Sequence, residues 1–264
     1  MRRAVPLLAT AATLLGAGCT GPSDGAAPKP TPSDDHGPVV KAAVAATRAT
    51  TAKINEKIEL TDTAKATTHT LTITGNFDLA ADKGRLAVDL PGGAISHLDE
   101  IFADGKVYVR GFDRLPDTWA SIARDKAEAH YLLRAPLNDP EHVLQQVAAM
   151  TRISKHSTQQ VNGTPATRYR GKLDHATLTS RLAEPTRTKA ADQREALGTD
   201  IPAFADAWID PKGRVVRTRL TFHGGGASVT ATMTLSDLGK PVKVAAPPSP
   251  EVVPVTSTTG VLPG

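Results

Sequence analysis

The chain reads as an α+β protein, a curved antiparallel β-sheet carrying helices on one side. Three observations predict this. Apolar and polar residues alternate over long stretches, as in Leu71, Ile73, Gly75, Phe77 and Leu79 set against Thr70, Thr72, Thr74, Asn76 and Asp78. Such stretches are joined by pairs that tolerate positive φ, Asp104-Gly105 and Asn162-Gly163, which suit tight hairpin turns. Between the alternating blocks the apolar spacing changes to that of a helix.

The chain begins with a leader, residues 1–18. Arg2 and Arg3 give a basic start, residues 4–15 an apolar run, and Gly16-Ala17-Gly18 small residues leading to Cys19. The run is shorter than the roughly 20 apolar residues a membrane-spanning helix needs. An ordinary secretion signal would leave the lone cysteine without a role. The layout resembles a bacterial lipoprotein box, with Gly16 where leucine is usual. It implies that Cys19 receives a diacylglyceryl group and becomes the N-terminal lipid anchor. Residues 19–38 then form a lipidated tether. Its Pro, Gly and polar residues cannot bury enough apolar surface to fold, and a flexible chain of that length reaches about 25 Å.

The folded domain is predicted over residues 39–244. Val40, Val44 and Thr47 at helical spacing predict a helix over 39–51. From residue 52 the period is two: Ile54, Ile58 and Leu60 face one way, and Asn55, Lys57, Glu59 and Thr61 the other. Strands follow over 69–79, at Leu86, Val88 and Leu90, and on either side of Asp104-Gly105, where Val107, Tyr108 and Val109 continue the block. The alanine-rich, charge-dotted stretch 119–133 predicts a helix capped by Asp117-Thr118. A second helix starts at Asn138-Asp139-Pro140-Glu141, with Asn138 as the cap, Glu141 completing a capping box, and Val143, Leu144, Val147 and Met150 as its stripe.

A hairpin over 152–173 turns at Asn162-Gly163, and 174–198 predicts a charged surface helix pair broken near Pro185. Strands at Ala207-Trp208-Ile209, 215–222 and Val229, Ala231, Met233 and Leu235 close the sheet. Residues 245–264 are a Pro-rich tail whose prolines keep it out of a sheet interior.

The totals exclude several classes of function. Among 264 residues 40% are hydrophobic but only 4% aromatic, so the core is aliphatic. The formal charge of +4, less Arg2 and Arg3 when the leader is removed, is too small and too scattered for nucleic acid. With Cys19 acylated no thiol remains for a disulfide or a metal. No nucleophile elbow, zinc-protease helix, phosphate loop or dinucleotide fingerprint occurs, so neither an enzyme nor a cofactor is predicted. His97, Asp99 and Glu100 come nearest to a metal cluster, and they read instead as a solvated turn.

What remains is the apolar face. Packed under helices it is an ordinary core; incompletely filled, it is a cavity suited to acyl chains. The candidates for its lining are Ile58, Leu71, Ile73, Phe77, Leu86, Val88, Val107, Val109, Val143, Leu144 and Val147. Arg110 and Arg114 are candidates for a headgroup phosphate at its mouth.

The lipobox, the tether, the 39–51 helix, the 71–109 strand block and the Asn138-Asp139-Pro140 start together resemble the LppX/LprAFG-type lipoproteins of actinobacteria. The segments Val161-Asn162-Gly163-Thr164-Pro165 and Ala207-Trp208-Ile209-Asp210-Pro211 add to the likeness. More distantly the chain is similar to LolA/LolB-like carriers. The resemblance implies an unclosed β half-barrel with helices on its concave side, holding an acylated lipid or glycolipid. It further implies anchorage at the extracytoplasmic face of the cell membrane and a part in lipid carriage or transfer. The alternative within the same fold is a filled-core module that docks an envelope partner such as a transporter.

Overall fold

The computed structural model describes residues 35–92, 96–111, 117–127, 139–182, 184–200, 202–224 and 226–256. The leader, Cys19, the tether up to residue 34, Arg114 and Asn138 lie outside them.

Helix α1, Gly37–Arg48, starts two residues earlier than predicted because Pro38 fits its first turn, where a missing N–H costs nothing. It buries Val40, Ala43, Val44 and Thr47, the face its spacing predicts. An antiparallel meander follows: β1 Thr51–Asp62, β2 Thr67–Asp78, β3 Lys83–Asp89, β4 His97–Ala103 and β5 Lys106–Arg110. Asp104 and Gly105 both take positive φ, 52° and 69°, as the hairpin between β4 and β5 requires.

The next element departs from expectation. Trp119–Ala123 is a strand, β6, paired to β5, and a 3₁₀ turn, Arg124–Lys126, follows it; the rest of the predicted helix, residues 128–133, lies outside the described residues. Trp119, Ala120, Ser121 and Ile122 are all buried, so the strand is covered on both faces and shows no alternation. Its alanines and the charges after it imitate a helix.

Helix α2, Pro140–Ala148, has Asp139 rather than Asn138 as its cap, the Asp139 carboxylate accepting the Glu141 N–H at 3.0 Å. The hairpin β7 Thr151–Val161 and β8 Thr164–Lys172 turns on Asn162 and Gly163, again both at positive φ. Short α3, His175–Thr179, and exposed α4, Glu184–Leu197, are the expected helix pair; the break comes just before Pro185, which sits in the first turn of α4. Strands β9 Ala203–Ile209, β10 Val215–Gly224 and β11 Ala227–Ser236 follow, and β12, Val252–Pro254, ends the series.

The described strands form one sheet in the order β12-β6-β5-β4-β3-β2-β1-β11-β10-β9-β8-β7. Every pairing is antiparallel except β12 with β6, which is parallel. Proline is tolerated there because β12 is an edge. The sheet is unclosed, with β7 as its other edge, and it is strongly curved. Nine strand-to-strand steps separate β6 from β8, about 43 Å on a flat sheet at roughly 4.8 Å per step. Yet Arg181, nine residues beyond the end of β8 and separated from it by α3, donates to the carbonyl of Arg124 at the end of β6 at 2.8 Å. That connection spans about 21 Å at most, so the sheet must curl to bring its two ends together.

Helices α1 and α2 lie on the concave face, packed on each other and on β9 and β10. The Thr47 hydroxyl accepts the Val215 N–H at 2.8 Å, pinning α1 to the β10 bulge, and the Arg48 Nε donates to Glu141 at 2.9 Å, tying α1 to α2. On the convex face Val244, together with Ala246 and Val252 of the tail, covers Ile101, Ala103, Tyr108 and Trp119.

Candidate functional site

The concave face is a single apolar surface. On β1 it presents Ala52, Ile54 and Ile58; on β2 Leu71, Ile73 and Phe77; on β3 Leu86 and Val88; on β5 Val107 and Val109. Helix α2 faces it with Val143, Leu144 and Val147. All eleven cavity candidates therefore fall in one contiguous cluster, and none is more than 5% exposed.

The prediction missed part of this surface. Leu98 and Phe102 of β4, the whole inner row Val229, Ala231, Met233 and Leu235 of β11, and the alanines Ala203, Ala205 and Ala207 of β9 belong to it equally. Their period-two spacing was the available signal. On β2 and β3 the floor includes two glycines, Gly75 and Gly84. At Gly84 a Cβ would come within 2.1 Å of the Phe77 ring, and the space it leaves lets Phe77 and Phe102 meet edge to face with centroids 5.2 Å apart. At Gly75 a Cβ would meet the Arg85 carbonyl at 2.0 Å.

Ionisable groups enter this face in two sets. At one end Asp139, 3% exposed, joins Arg124 at 2.9 Å and Arg181 at 3.8 Å, and Arg124 also reaches Asp82 at 2.7 Å. Burial pushes the Asp139 carboxyl above its ordinary value even though Arg124 and Arg181 oppose the shift. The Arg124 guanidinium lies 4.7 Å from the Phe102 ring centroid, so this ionic cluster seals against the apolar floor.

The second group is the pair Glu56 and Glu100, 1% and 0% exposed, both on the concave face. Burial raises Glu56 to about 7. Burial raises Glu100 well above the usual carboxylate range, and the nearby Asp139 and Glu56 charges add to the effect.

Strand alternation also settles the His97, Asp99 and Glu100 triplet. These residues lie in β4 rather than in a turn, and Glu100 points to the face opposite Asp99. On the convex side His97 Nδ1 pairs with Asp89 at 2.7 Å, while Asp99 pairs with Arg110 at 2.7 Å and Arg85 at 3.2 Å. Burial works against the Asp99 carboxylate, but Arg110 and Arg85 outweigh it and hold the group below its ordinary value. Arg110 stacks 4.6 Å from the Trp119 ring centroid and is thus engaged on the convex face, not at a cavity mouth. Among the described residues no group of His, Cys, Asp and Glu is placed to hold a metal ion, and no helix is long and apolar enough to cross a membrane. A separate open cleft of about 540 Å³ lies by the β7–β8 and β9–β10 turns, lined partly by Asn162, Asp210, Lys212 and Arg214; none of the eleven candidates borders it.

No curated protein sequence matches the chain. Solved structures with a related outline include LprF from Mycobacterium bovis, 14% identical, covering 82% of this chain and 98% of that one with a TM-score of 0.48. LppX from Mycobacterium tuberculosis is 15% identical, covering 81% and 100% with a TM-score of 0.47. A LolA superfamily protein from Nitrosomonas europaea is 8% identical, covering 81% and 94% with a TM-score of 0.31. The sequence profile of one family matches residues 36–244, from the start of α1 through β11 and into the segment that covers the convex face. On that match the chain belongs to the LppX_LprAFG lipoprotein family.

Proposed function

We propose that this protein is a membrane-anchored lipoprotein of the cell envelope that holds acyl chains against its concave face and has no enzymatic activity. The observation that carries the reading is the continuity of that face: the eleven candidates form one apolar cluster between a curved, unclosed sheet and two short helices, in a chain of this lipoprotein family. Binding is non-covalent. Each methylene moved out of water contributes about 0.8 kcal/mol, so a chain of modest length is held without a specific polar contact. Cys19 is the anchor on the extracytoplasmic side, and the tether lets the domain reorient above the membrane. Carriage or transfer of the lipid, with handover to an envelope transporter, is the role that fits an anchored holder.

Two measurements on the full chain test this reading. Expressed in a bacterium with lipoprotein processing, the parent should fractionate with membranes and the Cys19→Ala variant should be released. The released variant should still take up a fluorescent fatty acid. Retention of Cys19→Ala on membranes would place the anchor elsewhere, and failure to take up the probe would favour a filled-core docking module.

A further inference from the structure

The buried carboxyl groups of this fold are treated in two different ways. Asp206, Asp210 and Asp139 are each met by an arginine: Arg168 at 2.8 Å, Arg214 at 2.8 Å and Arg124 at 2.9 Å. Glu56 and Glu100 are buried at least as deeply, yet none of their four carboxyl oxygens has a hydrogen-bond partner among the described residues. Their cross-strand neighbours are apolar. Glu56 lies between Ile73 on β2 and Met233 on β11, and Glu100 between Leu86 on β3 and Val109 on β5. All four of these neighbours belong to the apolar concave face described above.

A third group extends the set. Thr218 on β10 is 0% exposed, its hydroxyl has no hydrogen-bond partner among the described residues, and it faces Met233 from the side opposite Glu56. Glu56 and Thr218 thus lie in one cross-strand row flanking Met233, and among the described residues the side-chain oxygens of Glu56, Glu100 and Thr218 have no hydrogen-bond partner. An unsatisfied buried polar group is costly, and native interiors seldom keep several without a purpose. A bound molecule that supplies the missing partners would remove that cost.

The chemistry of the groups selects the partner. Burial favours the neutral form of both carboxyls, raising Glu56 to about 7 and Glu100 well above the usual carboxylate range, and in that form each both donates and accepts a hydrogen bond. Thr218 does the same. A free hydroxyl is the matching group, whereas an ester offers only acceptors and an ammonium requires an ionised carboxylate.

We propose that Glu56, Glu100 and Thr218 form a hydrogen-bonding subsite on the floor of the lipid-holding face that binds a free hydroxyl of an acylated ligand. The subsite rests on the lipid-holding function and adds selectivity to it: hydrocarbon supplies the affinity, and the polar groups choose among lipids of similar chain content.

The test compares two probes that differ at one position, 1,2-dioleoylglycerol and its 3-acetyl ester, each displacing a fluorescent fatty acid from the full chain. The parent should bind the free alcohol about tenfold more tightly, the size expected for one or two neutral hydrogen bonds. Glu56→Leu and Glu100→Leu should lose that preference and keep their affinity for the acetyl ester. Glu56→Gln and Glu100→Gln, whose amides still donate and accept, should retain most of it. Equal binding of the two probes by the parent overturns the subsite and leaves lipid holding intact, a result that does not depend on any variant folding. Binding of neither probe overturns both.

Discussion

Replacing Glu56 by glutamine should change the stability of the protein in a way that depends on pH. Glu56 is held at about 7 in the folded protein against an ordinary 4.5. Between those values the folded state keeps a proton that the unfolded chain has released, so the unfolded state gains on the folded one as pH rises. Stability linked to this group is fully present below pH 4.5, is lost as pH climbs through about 7, and does not fall further above it. Each pH unit in that window is worth 1.36 kcal/mol, which gives about 3 kcal/mol in all.

Glutamine cannot ionise and has nearly the same shape. Glu56→Gln should therefore match the parent within about 1 kcal/mol at pH 4.5 and exceed it by up to about 3 kcal/mol at pH 8. In a domain of this size that corresponds to roughly 6–12 °C in Tm. Urea unfolding of parent and variant at the two pH values measures the difference directly. The carboxylates held below their ordinary values, Asp62, Asp99, Asp174 and Asp237, titrate in a more acidic window and are common to both proteins, so they cancel. A stability difference that stays constant between pH 4.5 and 8 would refute the placement of Glu56 as a buried, unpaired carboxyl.

Two further substitutions test the architecture around the concave face. Gly75→Ala and Gly84→Ala should each destabilise the fold by about 1–3 kcal/mol in urea titrations. Gly75→Ala should be the worse of the two, because its Cβ meets a backbone carbonyl at 2.0 Å while that of Gly84 meets a phenylalanine ring that can turn. Asp139→Ala removes the α2 cap and leaves Arg124 without its most buried partner, and should cost about 3 kcal/mol by the same measurement.

The features legible in the sequence were those whose physics is local. Asp104-Gly105 and Asn162-Gly163 announce their turns because few residues accept two consecutive positive φ angles. The α1 face was legible because Val40, Val44 and Thr47 recur at helical spacing. Eight of the eleven candidates came from strand alternation and three, Val143, Leu144 and Val147, from the helical stripe of α2. Features set by tertiary contact were not legible. Trp119–Ala123 is dry on both sides, since the tail covers Trp119 and the concave cluster takes Ile122, so its strand period is erased. Glu56 and Glu100 occupy apolar positions in the alternation, which places them on the apolar face, but that they are buried there without an arginine partner is set by the tertiary structure. The cap fell on Asp139 because Arg124, fifteen residues earlier in the chain, holds its carboxylate in place. No local pattern encodes that partner.

The central claim is that the concave face holds lipid. Native mass spectrometry of the full chain, purified from a host that makes diverse acyl lipids, tests it most directly. The account predicts protein ions heavier than the anchored polypeptide by the mass of one acylated lipid, with the adduct diminished when Ile73 or Val109 is replaced by tryptophan to fill the face. Bare protein ions alone, from a preparation that also fails to take up added fatty acid, would contradict it.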